Sequence, residues 1–118
     1  MDLFGAYLLK MEKIIGVYKI TNPKGRIYIG SSSNIRARFS SYKNLHCADQ
    51  PKLYNSFVKY GIENHTFVIE KECEYDDLYK NEREIGEKYS VLKYGLNCAL
   101  PTYADKKQAF SEEARLRI

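Results

Sequence analysis

Tryptophan is absent from this 118-residue chain, histidine occurs only twice, and cysteine and proline occur three times each. Each scarcity removes a class of protein. Cys47, Cys73 and Cys98 are odd in number and far apart, with no C-x-x-C pair, which argues against a zinc site and against a disulfide scaffold. A reactive thiol is the lesser alternative. No apolar run approaches the ~20 residues that a bilayer-spanning helix needs. The N-terminus lacks the charged-then-apolar pattern of a secretory signal. These absences predict a chain that neither spans a membrane nor is secreted, working in a reduced intracellular compartment such as the cytoplasm or nucleoid.

What is present is a globular composition, with 44% hydrophobic and 14% aromatic residues, eleven of them tyrosine. The length suits one domain with a real core. The net charge of +4 is unevenly spread. Between Tyr18 and Lys59 lie Lys19, Lys24, Arg26, Arg36, Arg38, Lys43, Lys52 and Lys59, against the single acid Asp49. From Glu63 to Lys88 nine acids face four bases. A basic first half interleaved with aromatics suits a polyanion, although charge runs also make plain solvated faces.

The pattern predicts an N-terminal helical extension over residues 1–13, with Leu3, Phe4, Tyr7, Leu8 and Met11 at helical spacing. Two strands follow, Ile14–Thr21 and Arg26–Ser31, joined by the turn-rich Thr21-Asn22-Pro23-Lys24-Gly25. Ser33 or Asn34 caps a helix running to about Leu45, with Ile35, Phe39 and Tyr42 on its buried stripe. Pro51 opens a second helix through Leu53, Phe57 and Tyr60, and Gly61 ends it. Thr66–Glu72 reads as a third strand, and Tyr75–Leu92 as one longer helix. His65 reads as a surface or strand-end residue. The tail, 101–118, opens at Phe110-Ser111-Glu112-Glu113 like a capped helix.

Two features carry chemistry. Centring the hairpin near Pro23 places Tyr18 opposite Tyr28 and Gly16 opposite Gly30, two phenols beside bare backbone that an anionic group can approach. The plainer alternative is a cross-strand tyrosine pair that only stabilises the sheet. In the last helix Leu78, Glu82, Ile85 and Tyr89 share one face. A carboxylate on a core-facing stripe is costly unless a cation or metal meets it. Its structural alternative is a salt bridge to Arg38 or Arg83. Glu84 points the other way and reads as surface.

Gly16-Val17-Tyr18, Tyr28-Ile29-Gly30, helical Arg38, mid-helix Glu82 and Gly95-Leu96-Asn97 stand in an order and spacing that resemble the GIY-YIG nuclease superfamily. The likeness is greatest to the catalytic domains of phage-type and intron-encoded homing endonucleases, over a nuclease domain of about 14–100. It implies an α+β fold, a small three-stranded antiparallel sheet flanked by helices. It also implies hydrolysis of phosphodiesters in double-stranded DNA with magnesium, or manganese in its place. Carried over to this chain, Tyr18, Tyr28, Arg38, Glu82 and Asn97 are the catalytic set. Tyr18 is the expected general base and Tyr28 holds water or phosphate. Arg38 forks onto the non-bridging oxygens, Glu82 takes the metal and Asn97 orients the site. A phenol of pKa near 10 serves as base only if Arg38 and a metal favour the phenolate. Gly30 is the close-packed glycine at the DNA. Lys19, Lys24, Arg26, Arg36, Lys43 and Lys52 are the expected backbone contacts, with His46 near where a family histidine occurs. Two departures are Val17 for isoleucine and Tyr42 where histidine is frequent. The tail resembles the opening of the small DNA-binding modules that follow such domains. A repair or restriction nuclease, or a silent nucleic-acid-binding module on the same fold, are the competing readings. The oligomeric state stays open, a monomer included.

Overall fold

A computed structural model describes residues 13–101; the helical extension and the tail expected from the sequence lie outside them. The elements run β1 (Gly16–Thr21), β2 (Ile27–Ser32), α1 (Ile35–Lys43), α2 (Pro51–Tyr60), β3 (Thr66–Glu72) and α3 (Leu78–Lys88). Single 3-10 turns at Ile62–Asn64 and Tyr75–Asp77 precede β3 and α3. The sheet is antiparallel in the order β2-β1-β3. The expected α+β architecture is therefore present. No helix among the described residues is long and apolar enough to cross a membrane.

The hairpin register differs from the sequence expectation. Tyr18 faces Gly30, Ile20 faces Tyr28 and Gly16 faces Ser32, so the hairpin turns about residue 24 rather than Pro23. The cause is local. Gly25 takes φ of 82°, a left-handed conformation open to glycine. Asn22 closes the turn, its Oδ1 accepting the backbone N–H groups of Lys24 and Arg26 at 2.9 Å each.

Alternation along the strands divides the core into two layers. Tyr18, Ile20 and Tyr28 bury against Ile35 and Tyr42 of α1 and Leu53 and Phe57 of α2. Val17 and Ile29 face the opposite way, onto Val91 with Ile85 alongside. Asn34 caps α1, its Oδ1 accepting the Ala37 N–H at 3.2 Å, and Pro51 sits in the first turn of α2. Gly61 ends α2 at φ 84°.

The last helix is shorter than its apolar pattern. It stops at Lys88, and Ser90 turns the chain at φ 53°. The turn lets Val91 drop fully buried between Val17 and Ile29. The following segment lies along the outer edge of β2. Leu96 N–H donates to the Ile27 carbonyl at 2.8 Å. Asn97 clamps Ile29 from both sides, accepting its N–H at 2.9 Å and donating to its carbonyl at 2.8 Å. A side-chain amide thus completes the ladder of an edge strand.

His65 is buried rather than on the surface, packed edge-on against Phe57. Its Nδ1 lies 2.8 Å from the Gly61 carbonyl, which only accepts, so Nε2 accepts from Ser56 at 2.7 Å. Asn22 Nδ2 then donates to the Ser56 hydroxyl at 3.1 Å, tying the hairpin turn to α2. Asn22→Ala removes the acceptor for two turn amides and breaks this chain. A loss of about 2–3 kcal/mol in unfolding free energy is expected from urea titration. A loss under about 0.5 kcal/mol contradicts the role given to the turn.

Candidate active site

At the C-terminal end of β2 a cleft of about 380 Å³ opens to solvent. Tyr18, Tyr28 and Gly30 come from the hairpin, Arg38 from one turn into α1, and Glu82 from the middle of α3. Four of the five expected catalytic side chains therefore converge. Asn97 is the exception: it is buried at the outer edge of β2 with both polar atoms on Ile29, so it holds the strand and does not line the cleft.

The floor follows from the register. Tyr18 lies across Gly30, where a Cβ would run into the phenol ring and hydroxyl. Glycine is needed here for packing, not for its φ. The same contact leaves bare backbone at the cleft.

The two tyrosines are not equivalent. Tyr18 is fully buried, and its hydroxyl is 2.5 Å from that of Tyr42. Burial, reinforced by Tyr28 and Tyr42, drives its pKa well above the ordinary phenol value, and the nearby Arg38 charge only partly opposes this. Burial thus favours the neutral phenol, and the general-base role expected of Tyr18 requires a cation's charge to act against it. Tyr28 is also shifted upward, chiefly by burial and then by Tyr42. Gln50 donates to its hydroxyl at 2.5 Å, which fixes the phenol at the cleft wall.

Glu82 accepts a hydrogen bond from the Ser31 hydroxyl. Burial lifts its pKa from an ordinary 4.5 to about 7, while the Ser31 bond and the Arg38 charge pull the other way. Glu82 belongs to neither of the ion pairs Lys19–Glu70 and Arg83–Glu87. Neither salt bridge foreseen as its structural alternative is formed. Glu84 is exposed, as expected. Among the described residues no group of three or more His, Cys, Asp or Glu side chains is arranged to hold a metal. Glu82 is the one carboxylate at the cleft, with the Ser31 hydroxyl beside it, and a single carboxylate among neutral oxygen donors suits a hard, largely hydrated cation.

Ser31 and Gln50 were not singled out from sequence. Ser31 directly follows Gly30, and Gln50 directly precedes the helix-opening Pro51, so each sits beside a marker that was legible. The expected DNA contacts are dispersed. Lys24, Arg26 and Lys52 lie together beyond the hairpin end of the cleft. Arg36 and Lys43 are exposed on α1, and His46 is exposed after it. Lys19 lies apart from these, on the other sheet face, 4.0 Å from Glu70 and 5.1 Å from the centre of the Tyr89 ring. Strand alternation places it there, opposite to Tyr18. Cys47 is buried, and burial raises its thiol pKa, which disfavours the thiolate.

The Glu82 shift has a sign that can be checked without activity. Its folded pKa, about 7, exceeds the unfolded value near 4.5, so the folded state binds more protons between them. The stability contribution is full below the unfolded value and is lost as pH rises through the folded one. In chelator-containing buffer Glu82→Gln is expected to melt above the parent chain at pH 8, and the gap is expected to shrink by pH 5. Equal melting temperatures at pH 8 contradict the desolvation argument.

Comparison with known proteins agrees with this geometry. The family model described as the GIY-YIG catalytic domain matches residues 14–94. No curated protein matches. Among solved structures, the chain is similar to a point mutant of the catalytic domain of intron endonuclease I-TevI. The two share 26% identity with a TM-score of 0.68, over 76% of this chain and 98% of that one. A second structure, the catalytic domain of homing endonuclease I-TevI, gives 27% identity and a TM-score of 0.63, over 72% of this chain and 98% of that one. With its motif residues gathered at one cleft and the family model spanning most of its length, the chain belongs to the GIY-YIG family of nuclease domains.

Proposed function

We propose that the domain is a homing- or phage-type endonuclease that hydrolyses phosphodiester bonds of double-stranded DNA with a divalent cation, magnesium or manganese. The observation that carries this reading is the meeting of Tyr28, Arg38 and Glu82 around the bare floor at Gly30, in a cleft open to solvent. A binding module has no use for a desolvated carboxylate without an ion pair.

Phosphodiester hydrolysis builds negative charge on a crowded phosphorus and on the leaving 3′ oxygen. Arg38 supplies a planar fork of donors for the non-bridging oxygens. Tyr28, held by Gln50, donates from the wall to the phosphate or to the attacking water. Tyr18 lies beneath Gly30 and keeps the floor in place. Glu82, with Ser31 beside it, is the residue that would hold the cation. When bound, that cation supplies positive charge against the phosphate and the leaving oxygen. Asn97 fixes the strand that carries Tyr28 and Gly30. I-TevI is named as an intron and homing endonuclease, and the likeness to its catalytic domain favours DNA as the substrate here.

Incubation with supercoiled plasmid tests the reading. Relaxed or linear product is expected with magnesium and none with chelator. Glu82→Ala is expected to lower the rate at least about a hundredfold while still binding DNA. Arg38→Lys, which keeps charge but loses the fork, is expected to lose about tenfold or more. Relaxation that persists in chelator or in Glu82→Ala overturns the metal role, and no relaxation by the parent chain under any condition overturns the nuclease reading.

A further inference from the structure

Beyond the hairpin end of the catalytic cleft, two adjoining clefts of about 450 and 540 Å³ share Arg26, Lys52 and Leu96 in their walls. Lys93 completes the cationic lining of the first, and Lys24 and Lys59 that of the second. No Asp or Glu lines either cleft. None of these five cations belongs to an ion pair among the described residues. Five like charges around one depression repel one another and raise the local potential, which attracts a polyanion.

The site is built rather than merely charged. Lys52 is anchored, its ammonium donating to the Asn97 carbonyl at 3.1 Å, which leaves two further N–H donors on that ammonium. Arg26 is held at the hairpin turn by its backbone bonds to Asn22. Asn22 and Ser56 form a buried, hydrogen-bonded floor. The aliphatic stems of Lys59 and Lys93 bring their ammonium groups to 5.2 Å from the ring centres of Tyr60 and Tyr94. The segment that borders this site at Tyr94–Leu96 goes on to line the catalytic cleft at Ala99–Pro101.

β2 links the two places. Arg26 precedes the strand, and Gly30 lies four residues on at the catalytic floor. At ~3.3 Å per residue the separation is ~13 Å, or about four base pairs of duplex at ~3.4 Å each. We propose that this basic site is a second hold on the DNA, taking the backbone of the duplex about four base pairs to one side of the phosphodiester seated over Gly30. The site rests on the endonuclease reading for its register to the cut. Its recognition is of phosphate, so it positions the duplex and reads no sequence.

The test uses DNA affinity as a function of sodium chloride, in a Glu82→Gln background that leaves the duplex uncut. Lys24→Gln, Arg26→Gln and Lys59→Gln combined remove three exposed cations whose side chains make no hydrogen bond within the described residues. The slope of log affinity against log salt is expected to fall by about 2 to 3. A control pair on α3, Lys80→Gln with Lys88→Gln, is expected to leave the slope unchanged. Hydroxyl-radical footprinting of the parent on a duplex of known cut position is expected to show protection on one side of the cut. The triple variant is expected to lose that flank alone. An unchanged slope, or a footprint lost evenly on both sides, overturns the proposal. So does a site that takes an acidic peptide or RNA in preference to duplex. Failure here with magnesium-dependent plasmid nicking intact rejects only the second hold. Absence of nicking with the salt slope as expected rejects the catalytic reading instead. Circular dichroism of each variant establishes that it is folded.

Discussion

The contact between Tyr18 and Gly30 is the constraint on which the rest of the molecule depends. It exists because a left-handed Gly25 and the closing Asn22 set the hairpin about residue 24. That register lays a large ring across the one position of β2 where no Cβ stands in its way. The ring then packs on Phe39, Tyr42 and Tyr28, so one cross-strand pair orients α1 and with it Arg38. Bare backbone is left at the cleft as a consequence of packing, and the chemistry makes use of it.

Stability and function pull in different directions at Glu82. Its carboxylate is desolvated, with a hydroxyl and a nearby charge as partial relief. A chain selected for stability alone would place leucine on that stripe. The surrounding structure compensates elsewhere. Val91 fills the second core layer, and Leu96 and Asn97 complete the exposed edge of β2. Some of the residues that hold the site are thus distinct from those that line it. Asn97 belongs to the first group although its motif places it with the second.

Much of this was legible in the chain. Strand alternation, the capping Asn34, Pro51 at a helix start and the 3.6-residue stripe through Glu82 each follow from local physics, and the third strand falls at Thr66–Glu72 as read. Glu82 was legible as a charged group on a core-facing helical stripe, and Arg38 through the resemblance of the motif order. The illegible parts are long-range. The hairpin register turned on which of several turn residues took the positive φ, a choice made jointly by Gly25 and a buried Asn22. The end of α3 was hidden because its apolar period continues into Tyr89, whereas the core draws Val91 in only if the helix stops. The upward shift of the Tyr18 pKa could not be read either, since it arises first from burial in the assembled core and then from Tyr28 and Tyr42, 10 and 24 positions away.

The central claim is that one phosphate fits over Gly30, between the guanidinium and the acid. The most direct measurement is a crystal structure of the Glu82→Gln chain with an uncleaved DNA duplex. A backbone phosphate is expected on that floor, within hydrogen-bond distance of the Arg38 guanidinium and the Tyr28 hydroxyl. A duplex lying across another face, with the cleft holding no part of it, contradicts that placement.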